Sequence, residues 1–196
     1  MRKIIVSEFI SLDGVIQAPG GEQEDTDNGF TRGGWTRPYW HDDIGGHFFQ
    51  MMEQSDTLLL GRKTWEIHGG AFEPMEGGNP FVDTMNGIQK IVVSTTLPNA
   101  SACRNSTLIS GNVIEEVHTL KAKPGKNIGI DGSSVLIHTL AQHDLIDEYH
   151  LLVYPIVLGN GKRLFPEGAH SNLRLLETQH IPSGVVYLHY DVEHKV

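Results

Sequence analysis

Nine consecutive residues, Leu58-Leu59-Leu60-Gly61-Arg62-Lys63-Thr64-Trp65-Glu66, carry the clearest structural signal in the 196-residue chain. Residues 57–60 form an apolar run that is too short for a helix, and Gly61 closes it. Residues 62–68 have the pattern of a helix that begins directly after the glycine. The stretch therefore predicts a strand, a tight turn and a helix N-terminus in succession, which is the repeating unit of an α/β sheet.

The same unit recurs three more times along the chain. Short apolar runs at residues 88–94, 107–109 and 127–130 each end in a polar turn, and helical patterns follow the last two. Asn112 is placed to cap the helix that starts at residue 113. The turns are Ser94-Thr95-Thr96, Ser110-Gly111-Asn112 and Asp131-Gly132-Ser133-Ser134.

Further elements extend this pattern towards both termini. The predicted elements are a strand at residues 3–10, a helix at 41–54, a strand at 147–158, and an antiparallel hairpin of 173–181 and 184–192. The expected fold is therefore one α/β domain over residues 1–196. It has a mixed central sheet flanked by helices and ends in a C-terminal antiparallel hairpin.

The charge balance, the apolar runs and the cysteine count together argue against several classes of partner. The chain has 24 Asp and Glu against 15 Lys and Arg, a net charge of −9, whereas a nucleic-acid binder needs a basic face. No apolar run approaches the ~18 residues of a membrane span, and Ser7 and Glu8 interrupt the apolar start, unlike in a secretion signal. Cys103 is the only cysteine, which favours a reducing compartment. We therefore expect a cytoplasmic protein without nucleic-acid or membrane partners.

The four polar turns share a chemistry that suits phosphate groups. In α/β sheets, helix N-termini at the carboxyl ends of strands offer free N–H groups to anionic ligands. We expect a polyanionic nucleotide at these turns, although Gly, Ser and Thr also populate ligand-free strand ends, and neither G-x-G-x-x-G nor a P-loop motif occurs. The predicted cofactor-binding residues are Gly61, Arg62, Lys63, Thr64, Ser94, Thr95, Thr96, Gly111, Asn112, Gly132, Ser133 and Ser134.

Residues 58–66 resemble the strand–helix junction of dihydrofolate reductases, in which G-R-x-T-[WY]-E holds the NADPH phosphates. Further stretches resemble the reductase domain of bacterial bifunctional riboflavin-biosynthesis deaminase-reductases and its stand-alone relatives. They are Ser11-Leu12-Asp13-Gly14-Val15-Ile16, Ile130-Asp131-Gly132-Ser133, Leu145-Ile146-Asp147-Glu148 and Pro155-Ile156-Val157-Leu158-Gly159-Asn160-Gly161. The matches run from residue 4 to residue 165, most of the chain.

This resemblance implies a dihydrofolate reductase-like fold, NADPH as hydride donor and a homodimer. It adds Leu136 to the cofactor residues and places two carboxylates, Asp13 and Asp131, near the substrate as catalytic candidates. Asp13 is equally suited to forming a turn, and the riboflavin-pathway reductases usually have glutamate in place of Asp131. The implied activity is reduction of a small pterin- or pyrimidine-like heterocycle, of the 5-amino-6-(5-phosphoribosylamino)uracil reductase type. Since no zinc-binding deaminase motif occurs, a stand-alone paralogue with its own substrate is the leading interpretation.

Candidate substrate residues come from the long loop at residues 17–40, here called the flap, and from its surroundings. Trp35 and Trp40 are suited to stacking on a flat ring. Asp43, or its neighbour Asp42, corresponds in position to the carboxylate that dihydrofolate reductases carry on the helix after this loop, or is a helix N-terminal charge. Lys162 is a candidate for a substrate phosphate or lies on a solvated edge, and Gly159, in the turn before it, joins the set.

Other functions stay open from the sequence. They are dihydrofolate reductase activity and a nucleotide-binding dimeric protein of this fold without catalysis. The preference for NADPH over NADH is also open, because no arginine adjoins Thr95 or Thr96 along the chain. A metal centre is not predicted, since H-E-x-x-H is missing and His138 and His143 are five residues apart.

Overall fold

A single eight-stranded sheet forms the centre of the protein in the computed structural model, which describes residues 1–75, 77 and 79–194. The strands are β1 (Ile4–Ser11), β2 (Ser55–Gly61), β3 (Gln89–Val93), β4 (Ser106–Ile109), β5 (Asn127–Ile130), β6 (Glu148–Tyr154), β7 (Leu173–His180) and β8 (Val186–Val192). Their order is β4-β3-β2-β5-β1-β6-β8-β7. The strands from β4 to β6 in this order are parallel, and the pairs β6–β8 and β8–β7 are antiparallel.

The burial of each strand follows from its place in this order. Central strands such as β2 and β5 are covered on both faces, so residues 58–60 of β2 and residues 128–130 of β5 form short apolar runs that are fully buried. Strand β7 lies at the edge and exposes the side chains of Leu175 and Leu176. Because parallel strands share one direction, the polar turns after β2, β3 and β5 meet at the same edge of the sheet.

Among the described residues, five α-helices cover the two faces of the sheet. They are α1 (Asp42–Gln54), α2 (Arg62–Phe72), α3 (Pro80–Gly87), α4 (Val113–Ala122) and α5 (Ser134–Gln142). Helices α4 and α5 bury Val117 and Ile137 against one face. Helices α1, α2 and α3 bury Met51, Trp65 and Met85 against the other. Within the described ranges, no helix combines the length and the apolar character that a bilayer crossing requires.

The predicted mixed sheet with flanking helices and a C-terminal hairpin is confirmed. The predicted single domain over residues 1–196 stays a prediction, and its residues 76, 78, 195 and 196 lie outside the described residues. The expected homodimer likewise stays a prediction.

Three local predictions differ from the structure. The strand predicted to residue 158 ends at Tyr154, because Pro155 has no N–H for the ladder and the N–H of Leu158 binds the Asp13 carboxylate instead. Asn112 precedes α4 in a left-handed conformation and its side chain makes no capping bond. Helix α3 has no counterpart in the prediction, although the side chain of Asn79 accepts the N–H of Phe81 and caps it.

Candidate active site

A cleft of about 1520 Å³ opens at the carboxyl ends of β2 and β5. Its walls are the flap, α1, α2 and the first turn of α5. Ligand pockets for small molecules usually measure roughly 300–1,000 Å³. The cleft therefore has room for a dinucleotide and a second small molecule together.

Two of the predicted phosphate turns interlock at one side of the cleft. The N–H of Gly61 donates to Ser133 Oγ at 2.8 Å, and the N–H of Ser133 donates to Thr64 Oγ1 at 3.0 Å. Gly132 has φ +54°, and a Cβ on it would lie 2.8 Å from Thr64 Oγ1, so the turn is closely fitted to glycine. Neither α2 nor α5 has a side-chain N-cap. Their first N–H groups are therefore available to an anion.

The predicted cofactor residues divide into an inner and an outer set. Those that line the cleft are Gly61, Arg62, Lys63, Thr64, Gly132, Ser133, Ser134 and Leu136. Those outside its lining are Ser94, Thr95, Thr96, Gly111 and Asn112. The two sets meet where the guanidinium of Arg62 donates to Thr96 Oγ1 at 3.0 Å. Folding thus brings an arginine beside Thr96 that is not its neighbour along the chain.

Buried acidic and imidazole groups meet at the floor of the cleft. Asp131 Oδ2 lies 3.1 Å from His68 Nε2, and Glu8 lines the same cleft from β1. Each of these three residues has one buried atom without a hydrogen-bond partner in the described part of the chain, namely Glu8 Oε1, Asp131 Oδ1 and His68 Nδ1. Because buried polar atoms are nearly always satisfied, orphaned atoms that converge on a cleft point to a bound ligand.

The environment of Glu8 favours its protonated form. Burial and then the charge of Asp131 raise the pKa of Glu8 well above its usual range, against the opposing effect of the Gly132 N–H, which donates to the carboxyl. A neutral carboxylic acid beside an ionisable carboxylate gives the site one proton donor and one acceptor.

Sequence reasoning missed Glu8 and His68. The sequence holds a weak signal for each residue. Glu8 is a charged residue within an apolar strand. His68 follows Thr64 by four residues, and this spacing places Thr64 and His68 on the same face of α2, the face that lines the cleft. Their proximity to Asp131 depends on packing β1, β5 and α2 together, which no local pattern encodes.

The flap is anchored over the cleft by ion pairs. Lys63 Nζ lies 2.7 Å from Asp25 Oδ1 and 2.5 Å from Asp27 Oδ1. Lys162 Nζ lies 2.6 Å and 2.7 Å from the other oxygens of the same two carboxylates. Both lysines predicted to contact phosphates are therefore neutralised by the flap. Glu24, further along the cleft wall, accepts the N–H groups of Gly20 and Gly21.

Among the predicted catalytic and substrate-binding residues, four lie outside the cleft lining: Asp13, Trp35, Asp43 and Gly159. The prediction that Trp35 stacks on a substrate is corrected, because this residue belongs to the core. It is only 5% exposed, its ring packs edge-on against Tyr154, and its indole N–H donates to the Gln17 carbonyl. Asp43 lies in the first turn of α1, and Gly159 donates its N–H to Asp13. Trp40 and Lys162 line the cleft, where Trp40 is largely exposed, and their role in substrate binding stays a prediction.

Asp13 forms a turn rather than part of the cleft. Its carboxylate accepts the N–H of Leu158 at 3.0 Å, the N–H of Gly159 at 2.7 Å and the hydroxyl of Ser11 at 2.7 Å. Burial opposes ionisation, but the bonds from Leu158, Ser11 and Gly159 outweigh it and lower the pKa of Asp13 to about 2. The carboxylate thus joins the loop after β1 to the loop after β6.

We expect Asp13→Asn to destabilise the fold at neutral pH. A carboxyl with a lowered folded pKa contributes stability above its unfolded pKa, and that stability is lost as the pH falls through the folded pKa. After allowance for solvent screening, the loss amounts to about 1 kcal/mol at pH 7 and disappears near pH 2. Urea unfolding at several pH values measures it. Glu167→Gln, an exposed loop control, should change nothing, and equal stability of Asp13→Asn and the wild type at pH 7 would refute the assignment.

The sheet order and the cleft at its carboxyl edge define the class of protein as one with the dihydrofolate reductase-like fold. Solved structures of other proteins share this fold, and two of them align with nearly the whole chain. The crystal structure of a putative riboflavin biosynthesis protein from Shewanella sp. PV-4 has a TM-score of 0.69 at 23% identity, over 98% of this chain and 99% of that chain. The crystal structure of a pyrimidine reductase-like protein, DIP1392 of Corynebacterium diphtheriae, has a TM-score of 0.65 at 14% identity, over 99% of this chain and 93% of that chain.

The chain belongs to the RibD C-terminal domain family, whose model matches residues 2–187. It is 33% identical to YyaP of Bacillus subtilis strain 168 over 96% of this chain and 94% of YyaP. It is 30% identical to YwjB of the same organism over 96% of this chain and 97% of YwjB. Membership of this family supports the interpretation of the chain as a reductase of the riboflavin-biosynthesis type.

Proposed function

We propose that the protein is an NADPH-dependent reductase of a small pterin- or pyrimidine-like heterocycle, with Glu8 as the proton donor. The observation that carries the proposal is the placement of Glu8, Asp131 and His68 beside the interlocked turns at Gly61 and Ser133. Anion-binding turns next to a proton-donating cluster are what a nicotinamide-dependent reduction requires.

The residues present fit a dinucleotide. The uncapped N-termini of α2 and α5 offer N–H groups, and Arg62 adds positive charge beside them. Lys63 adds a second charge once a phosphate displaces Asp25 and Asp27 from it. Arg62 together with Thr96 suits a 2′-phosphate, because a guanidinium binds phosphate through two parallel donors. This pair supports NADPH over NADH as the cofactor.

The orphaned atoms suggest the chemistry of the substrate. Protonated Glu8 can donate to a ring nitrogen or carbonyl, and Asp131 Oδ1 can accept from a ring N–H. Pterin and pyrimidine rings carry such donors and acceptors side by side. The exposed ring of Trp40 at the cleft adds a flat surface for stacking.

The protein's part in the reaction is to orient the substrate and move one proton. When bound, the nicotinamide supplies the hydride, which reduces a C=N or C=O bond of the heterocycle. The O–H bond of Glu8 breaks as its proton passes to the nitrogen or oxygen of that bond, so that hydride and proton together add one H₂ equivalent. His68 holds Asp131 in place, and the Glu8 carboxylate regains its proton from solvent.

The test is in two steps. NADPH fluorescence during titration of the purified protein should report saturable binding, with NADH binding at least tenfold more weakly because it lacks the 2′-phosphate. NADPH oxidation is then followed across pterins, pyrimidines, flavin precursors and quinones. No binding at millimolar NADPH would refute the proposal. Binding without oxidation of any substrate would favour a nucleotide-binding protein without catalysis.

A further inference from the structure

A separate cluster of ligating side chains lies on the antiparallel half of the sheet. His150 on β6 stands directly opposite His189 on β8, and Glu148 lies two residues before His150, on the same face. Glu148 Oε2 is 3.3 Å from His150 Nε2 and 3.1 Å from His189 Nε2. All three ligand atoms lie within 4.8 Å of one another. Two imidazoles thus converge on a single carboxylate oxygen.

This spacing suits a metal ion at the centre of the three atoms. Zinc binds imidazole nitrogen and carboxylate oxygen at about 2.0–2.2 Å in a tetrahedron, which places neighbouring ligand atoms about 3.3–3.5 Å apart. The two separations from Glu148 Oε2 differ from that range by only a few tenths of an ångström. Two histidines and one carboxylate are also a ligand set that divalent transition metals use with an open position left for water.

The surroundings hold the ligands in a binding orientation. The hydroxyl of Tyr187 lies 2.9 Å from His150 Nδ1, which directs Nε2 towards Glu148. The Tyr187 ring is itself buried and stacks on His47 at 3.8 Å. Lys3 occupies the other oxygen of Glu148, so Oε2 alone faces the histidines. The three ligand side chains retain 9–19% exposure, which leaves an ion a path from solvent.

We propose that Glu148, His150 and His189 form a binding site for a divalent transition-metal ion of zinc type, completed by water. None of the three residues is among those that line the cleft, so the site is distinct from the proposed reductase site and does not depend on it. A bound ion would link β6 to β8 and stabilise the C-terminal hairpin. The sequence prediction of no metal centre is revised on this point, since it rested on helical spacing, whereas these ligands follow the two-residue period of a strand.

Calorimetric titration of the chelator-treated full-length protein with Zn²⁺ tests the site. We expect one equivalent to bind and the Tm to rise, because an ion that binds only the folded state stabilises it. Co²⁺ in place of Zn²⁺ should give the visible absorption bands of a tetrahedral site. Absence of stoichiometric Zn²⁺ binding at micromolar concentration would overturn the proposal.

Matched variants separate this site from unspecific histidine binding. His150→Gln/His189→Gln should abolish the Zn²⁺ and Co²⁺ signals, whereas His118→Gln/His170→Gln, which removes two exposed histidines elsewhere, should retain them. Tyr187→Phe keeps every ligand and should weaken binding about tenfold. If the first double variant fails to fold by circular dichroism, Glu148→Gln takes its place. Unchanged binding in a folded ligand variant would contradict the assignment.

Discussion

Glu8→Gln lowers the kcat for substrate-dependent NADPH oxidation by about 10²–10⁴-fold, the usual contribution of a general acid. Glutamine keeps the size of the side chain and can still accept the Gly132 N–H, but it has no acidic proton to give. The NADPH affinity should stay within about twofold of the wild type, because the cofactor turns lie on α2 and α5 rather than on β1. Stopped-flow absorbance and NADPH fluorescence measure the two quantities separately.

The pH dependence of the same variant distinguishes proton donation from a packing role. Only protonated Glu8 can act as the donor, so the wild-type kcat should fall as the pH rises through the raised pKa of Glu8. In Glu8→Gln this alkaline limb should vanish. A variant that lost activity while keeping the same limb would assign the titration to another group.

Stability measurements provide a check that Glu8→Gln remains folded. A carboxyl whose folded pKa is raised contributes stability in full below its unfolded pKa, and that contribution is lost as the pH rises to the folded pKa. The variant has no such loss, so it should be the more stable protein at alkaline pH. Glu24→Gln is the matched control in the cleft wall, since Glu24 is bonded to the backbone of the flap. We expect its kcat to change by less than tenfold.

The parts of the site that sequence reasoning found are those built from consecutive residues. The turns at residues 61–64 and 132–134 each carry glycine and hydroxyls at a strand end, which is a local signal. Glu8 and His68 do not lie in such a turn, and the weaker patterns around them acquire a meaning only when three elements pack around Asp131. The prediction for Trp35 failed in the opposite way, because it assigned a core residue to the site. An aromatic ring in a loop looks the same in sequence whether it packs on Tyr154 or on a ligand.

The second large effect that we expect concerns the flap. The double variant Asp25→Asn/Asp27→Asn should bind NADPH about tenfold more tightly than the wild type at low salt, which is a gain of about 1.4 kcal/mol in binding free energy. In the present arrangement the carboxylates of Asp25 and Asp27 each bind both Lys63 and Lys162. Together the two lysines lower the pKa of Asp27 to about 2. A phosphate that uses either lysine must displace these carboxylates, so removing their charge removes a competitor.

Opposing this gain is the loss of the bonds that order the flap. The ion pairs of Asp27 are exposed, and such pairs typically contribute only about 0–1 kcal/mol each, whereas a charge-assisted bond to a bound anion contributes about 1.5–3 kcal/mol. Asp25 is buried, but asparagine keeps its size and an oxygen that accepts the N–H of residue 27, so we expect the gain to prevail. It should shrink as salt shortens the screening length to about 8 Å at 0.15 M. Glu53→Gln/Glu193→Gln removes the same charge at the opposite edge of the sheet and should leave the affinity unchanged. Weaker NADPH binding by the flap variant would reverse the interpretation, because Asp25 and Asp27 would then position the lysines for the cofactor instead of competing with it.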